Sequence, residues 1–147
     1  MSVHECDRKF ADGSPYDLTK RLRDNVIKDL NDVESSEKFY EYAICREQYY
    51  YLKGLLENDF SIMLRYISIA KNVSITKKIP EDIYIFKLKN VYSAIGMIDK
   101  IFADINHLVY LHPKAINRID HYKLHELVDI KNSLFTWKNN IINKRKH

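Results

Sequence analysis

The stretch from Val91 to Val109 (VYSAIGMIDKIFADINHLV) sets the tightest limit on what this chain can fold into. Wound as an α-helix at about 100° per residue, it gathers Ala94, Ile95, Met97, Ile98, Ile101, Phe102, Ile105 and Leu108 into one apolar arc roughly 160° wide. Ser93, Lys100, Asp104 and His107 fall on the opposite face. One neighbouring helix cannot cover so wide an arc. The segment is therefore expected to be the central helix of a bundle.

The rest of the chain agrees with a helical protein. Three Gly and three Pro in 147 residues leave too few turn formers for a many-stranded β-sandwich. That length suits one domain, and it buries roughly two-thirds of the unfolded chain's surface. The formal charge of +4 is only mildly basic, and no helix shows a one-sided Lys/Arg face, so no nucleic-acid partner is expected. Cys6 and Cys45 make no disulfide framework. There is no apolar run of 18 residues, no signal-peptide pattern at Met1, no myristoylation glycine and no hydrophobic C-terminal anchor. These features predict a protein of the cytosol or nucleus, without a membrane anchor.

Residues 1–13 lack periodicity and are expected to form a flexible tail ahead of a single helical domain spanning 14–147. Ser14-Pro15-Tyr16-Asp17 reads as a capping box with proline at the first helical position. Leu18, Leu22, Val26, Leu30 and Val33 then follow at helical spacing. A second helix carries Phe39, Tyr42, Cys45, Tyr49, Leu52 and Leu56 along one stripe, with Gly54 marking a bend or a close backbone contact. Asn58-Asp59 reads as a stop and restart, with Asp59 capping a third helix through Phe60, Met63, Leu64 and Ile67. Residues 72–79 read as a loop. The IYIF run from Ile83 to Phe86 suits a short strand as well as a helix. His112-Pro113 ends the central helix; a short helix, Lys114 to Ile119, leads into a last one through Leu127, Ile130, Leu134, Trp137 and Ile141. The positive Lys144-Arg145-Lys146 end suits the dipole of that helix.

Catalytic patterns are missing. His121 and His125 stand one turn apart, but two imidazoles make half a zinc site and no ligand pair completes it. Cys45 sits on a core stripe without a glycine-bounded elbow, and no glycine-rich phosphate loop exists. Asp99 and Asp104, five apart, point in different directions from one helix. The chain is read as a non-enzyme that needs no cofactor and no metal. Tyr49-Tyr50-Tyr51 is its densest aromatic cluster: Tyr49 falls on the core stripe, while Tyr50 and Tyr51 fall at its edge or outside, where tyrosine serves binding surfaces well. Asn72-Val73-Ser74 is a glycosylation sequon that matters only on a secreted protein.

Two stretches carry a family likeness. Phe39–Asn72 contains Glu41-Tyr42, Tyr51-Leu52-Lys53-Gly54-Leu55-Leu56, Asp59 and Arg65-Tyr66, and Lys87–Asn106 contains Ser93-Ala94-Ile95-Gly96-Met97-Ile98. In these residues, in length and in its Ile, Lys, Asn and Tyr usage, the chain resembles the poxvirus Bcl-2-like immunomodulators over about two-thirds of its length. The resemblance implies an all-α, Bcl-2-like bundle of about seven helices around a central hydrophobic helix. It also implies a virulence protein of the host cytoplasm that acts by binding. One branch of that family holds Bcl-homology-3 helices of pro-apoptotic proteins in a groove. The other has the groove occluded, binds host signalling proteins to suppress NF-κB or interferon induction, and often forms a homodimer. Cellular Bcl-2 proteins carry Asn-Trp-Gly-Arg before the central helix; Phe86 to Asn90 here has no Trp, Gly or Arg, which favours the signalling branch. On this resemblance the groove-lining or partner-binding candidates are Tyr49, Leu52, Leu56, Met63, Tyr92 and Ile95. A groove binder of pro-death helices is the first alternative and a helical cytokine mimic, which requires secretion, the second.

Overall fold

The computed structural model describes residues 14–35, 39, 46–111 and 120–146. Among them the chain is all-α: four helices and no strand, namely α1 (Pro15–Glu34), α2 (Arg46–Lys71), α3 (Glu81–Leu111) and α4 (Asp120–Lys146). The count of about seven is thereby corrected to four for the described residues. Two expected boundaries inside the helices do not exist, which accounts for part of the difference. The proposed tail 1–13, Cys6, Tyr42, Cys45 and the short helix 114–119 lie outside the described residues.

α1 starts as its capping box dictates. Ser14 Oγ accepts from the Asp17 backbone N–H at 3.1 Å and donates to Asp17 Oδ2 at 2.9 Å, with Pro15 in the first turn. Its stripe of Leu22, Val26, Leu30 and Val33 is buried, and Leu18 packs beside it.

α2 runs straight through Asn58-Asp59. The stripe Tyr49, Leu52, Leu56, Asp59, Met63, Ile67 and Ala70 keeps three- and four-residue steps across that pair, and every member is buried. A weak local stop signal yields to a continuous face that a neighbour covers. Gly54 lies on the exposed side, where a Cβ would meet nothing within 4 Å. It marks no close backbone contact.

The loop after α2 falls at 72–80, one residue longer than the 72–79 read from the sequence. It is tied inward by the buried Ile75 and Ile79 and by Lys87, whose Nζ donates to Ala70 O at 2.7 Å and Val73 O at 2.6 Å. Ala70 O is one of the last four carbonyls of α2, which a helix C-terminus leaves without a partner inside the helix, and Val73 O lies in the loop just beyond it. The IYIF run is helical: Ile83 and Tyr84 donate their N–H groups to Pro80 O, and α3 then continues for 31 residues. In α4 the expected stripe of Leu127, Ile130, Leu134, Trp137 and Ile141 is buried in full.

Cross-links between neighbouring helices give an up-and-down order. Tyr49 and Lys53 meet Glu34, Lys100 meets Asp59, Lys87 meets the end of α2, Lys131 meets Asp99, and Arg145 meets Glu81 and Ile79 O at the start of α3. Principal contacts join α1 to α2, α2 to α3, α3 to α4 and α4 back to α1, the ring of a four-helix bundle. α3 is therefore one wall of four and does not lie at the centre of the others. Of its arc, Ala94, Ile95, Ile98, Ile101, Ile105 and Leu108 are buried and Met97 and Phe102 are half-buried against the core, while Ile85, Tyr92, Gly96, Asp99, Ala103 and Tyr110 look outward and are exposed. An apolar arc of that width is filled by two flanking helices plus the shared core, so no encircling shell is needed. Arg145, in the last turn of α4, also ties the end of that helix to the start of α3.

Candidate functional site

The candidates drawn from the family likeness separate into two sets. Tyr49, Leu56 and Met63 are 0% exposed, Leu52 5% and Ile95 7%, all within the one core cluster. These five side chains fill the space between the described helices. Tyr92 is elsewhere, 49% exposed on the outward side of α3. The structure does not bring it together with the other five.

Tyr49 is held from three sides. Its ring packs edge-on to Phe39, with centroids 5.0 Å apart, and to Tyr50 at 5.3 Å. Its hydroxyl donates to Glu34 Oε1 at 3.1 Å, and Lys53 Nζ reaches the same oxygen at 2.7 Å. Burial first, then the Glu34 carboxylate, raises the phenol well above its ordinary pKa. Tyr49 is a core anchor. Tyr50 and Tyr51, next along α2, are 46% and 65% exposed, as the stripe assigns them.

A second exposed aromatic patch crosses the α3–α4 seam. Tyr92 and Phe135, both exposed, sit on either side of Lys138, whose Nζ lies 5.8 Å from one ring centroid and 4.9 Å from the other. A cation over ring faces holds the rings in place at the surface. Lys131 Nζ, 3.3 Å from Asp99 Oδ1, closes the same seam one step further along. Scattered surface aromatics are ordinary; two rings fixed by one lysine make a pre-ordered surface of the kind used at interfaces.

The most strained chemistry lies between α2 and α3. Asp59 is 0% exposed and Asp104 8%. Both Asp59 oxygens and Asp104 Oδ2 lack an aligned hydrogen-bond donor. Lys100 reaches in from the surface and places Nζ 3.0 Å from Asp59 Oδ1 as an ion pair. Burial, a hydrogen bond with Asp59 and the charge of Asp59 together push Asp104 up to about 7, against the pull of Lys100. The same pairing raises Lys100 above the usual lysine range. Two carboxyls that share one site do not both ionise cheaply, and a proton on Asp104 supplies the donor that Asp59 lacks. Sequence reasoning missed this pair. Asp59 reads locally as a helix cap, and Asp104, assigned from the sequence to the face opposite the apolar arc of α3, lies only about 20° outside that arc and is buried. The available signal was Asp59's place on the three-and-four stripe of α2.

A carboxyl pair is also the raw material of acid–base catalysis, but here it faces the packed α2–α3 interface, and neither of the two clefts along the α1–α2 seam includes it. No protein-family model matches the chain, and neither a curated protein nor a solved structure matches it. Among the described residues no group of three or more His, Cys, Asp or Glu is placed to hold a metal ion, and His125 is exposed. The side chain of His121 lies outside the described residues. No helix among them is long and apolar enough to cross a membrane.

Proposed function

We propose that the protein is a non-catalytic viral inhibitor of host innate immune signalling, acting in the host cytoplasm by protein–protein binding through the outer faces of its helices. The observation that carries this reading is the burial of Tyr49, Leu52, Leu56, Met63 and Ile95 in one core. A pro-death helix docked in a groove needs three or four apolar anchor sites open to it, each contributing about 1.5–3 kcal/mol before ordering costs. Side chains already packed to completion offer none. Exposed aromatics at Tyr92 and Phe135, ordered by Lys138, and at Tyr50 and Tyr51 supply contact surface of the composition that interfaces favour. The viral and immunological part of the reading rests on the sequence likeness to the poxvirus Bcl-2-like immunomodulators. The ring of four helices lends that likeness no topological support, so the motifs alone bear it.

The test is a pair of measurements. In human cells carrying NF-κB and interferon-β reporters, the expressed protein should repress the stimulated signal, and the double variant Tyr92→Ala/Phe135→Ala should lose repression while keeping its helical circular dichroism. Calorimetric titration with a panel of Bcl-homology-3 peptides should show no binding. Submicromolar binding to any peptide transfers the protein to the apoptosis-inhibitor branch; reporters untouched by the wild-type protein overturn the signalling reading.

A further inference from the structure

Along the outer seam of α1 and α2 run two adjoining clefts that share Arg23 and Ser61. The one toward the α1 C-terminus carries mixed charge, with Asp24 and Glu57 beside Arg23 and Lys28. The one toward the α1 N-terminus, about 340 Å³, differs in kind: its only charged side chains are Arg23 and Arg65, and it holds three hydroxyls, from Tyr16, Ser61 and Ser68. We propose that this cleft, where two arginines on facing helices line one space with the hydroxyls of Tyr16 and Ser68 and no carboxylate in the lining, binds the phosphate group of a phosphomonoester.

The donors there are available. Arg65 is exposed, and neither its guanidinium nor the Ser68 and Tyr16 hydroxyls are engaged in a hydrogen bond or ion pair among the described residues. Ser61 Oγ donates to Glu57 O. Arg23 uses Nε and Nη2 on the single Asp24 oxygen Oδ1, at 3.1 and 3.0 Å, which fixes the guanidinium plane and leaves its Nη1 edge for a ligand. Two planar guanidinium groups match the oxygens of a tetrahedral dianion in a way that lysines do not. The volume lies at the small end of ligand sites and leaves room beyond the phosphate itself. Leu64 and Ile69, with the half-buried Tyr16 ring, give that extra room an apolar lining. A free phosphorylated metabolite and a phosphorylated side chain on a partner share this chemistry. The inference stands independently of the immune-signalling reading.

The test is a titration of the isotope-labelled full chain, followed by amide NMR at constant ionic strength, with inorganic phosphate, phenyl phosphate, and a phosphoserine peptide beside its unphosphorylated form. Saturable shifts should cluster at Tyr16–Arg23 and Ser61–Ile69, with phenyl phosphate binding more tightly than phosphate. Arg65→Ala, at an exposed and unpaired position, should fold normally and weaken binding by about tenfold, with Arg65→Lys between the two. Lys138→Ala, on the opposite side of the bundle, should leave binding unchanged. A peptide tighter than phenyl phosphate assigns a protein-borne phosphate, and equal affinities assign a free ester. Shifts spread over lysines and arginines generally, or binding that Arg65→Ala leaves intact, would overturn the proposal.

Discussion

Asp59 and Asp104 show how one buried contact reshapes a titration. The folded state holds a proton on Asp104 up to about pH 7, whereas an unfolded aspartate releases it near pH 4. The native state therefore binds more protons across that window, and stability falls as pH rises through it. The contribution is whole below the unfolded value and gone above the folded one. Because Lys100 brings the pair's ion-pair end to a half-exposed side chain, solvent screens it, and about 1–2 kcal/mol is the expected size. Denaturant melts of Asp104→Asn against wild type should show the variant relatively more stable at pH 8 than at pH 5. A difference that stays constant with pH would remove Asp104 from that role. Lys87 illustrates the opposite outcome for a buried charge. Fully enclosed, it has carbonyl acceptors at Ala70 and Val73 and the Trp137 ring 5.2 Å away, so its ammonium is solvated by the protein.

At the scale of helices, the continuous stripe outweighs the local signal. Asn58-Asp59 reads as a break because both residues favour caps, yet the positions on either side, Leu56 and Met63, are needed on one face and the helix runs on. The IYIF run behaves likewise: over so few residues its pattern fits two periods, and the Pro80 carbonyl, accepting from Ile83 and Tyr84, selects the helical one. Gly54 and Gly96 are the converse, interior glycines that the packing does not require. A Cβ at either meets nothing within 4 Å, and neither has positive φ. Gly54→Ala and Gly96→Ala should each raise stability by about 0.5–1 kcal/mol in urea melts, because alanine restricts the unfolded chain more and suits the helix. A loss of stability at either position would mean that the glycine serves a contact beyond the folded monomer.

Over the whole molecule, the ring closes one core to which all four helices contribute, with Trp137, Tyr49 and Phe60 its largest fully buried side chains in those helices. Arg145, joined to Glu81 and stacked 4.8 Å from the Tyr84 ring, and Lys53, joined to Glu34, bind neighbouring helices at their ends. Met63 and Ile95, offered by sequence as groove residues, lie inside that core. Met63→Ala and Ile95→Ala should therefore each cost about 2–4 kcal/mol in global unfolding, seen as a shifted midpoint with an unchanged denaturant slope. Neutral truncations would indicate that these side chains face an open groove after all.

The sequence by itself determined which apolar stripes turn inward. The stripes on α1 and α4 and the arc on α3 follow from a period of 3.6 that any partner must cover, and the capping box of α1 is a contact between residues three apart. Local rules carry such features because their atoms are neighbours along the chain. Which helices face one another, whether α3 is enclosed or forms a wall, and the meetings of Asp59 with Asp104 and of Arg23 with Arg65 were decided only by the tertiary structure. Those pairs join different helices, and their spacing in the chain carries no trace of their distance in space. Burial on a shared face depends on the neighbour as much as on the residue, so the carboxyl pair and the two-arginine cleft came into view only once the ring had closed.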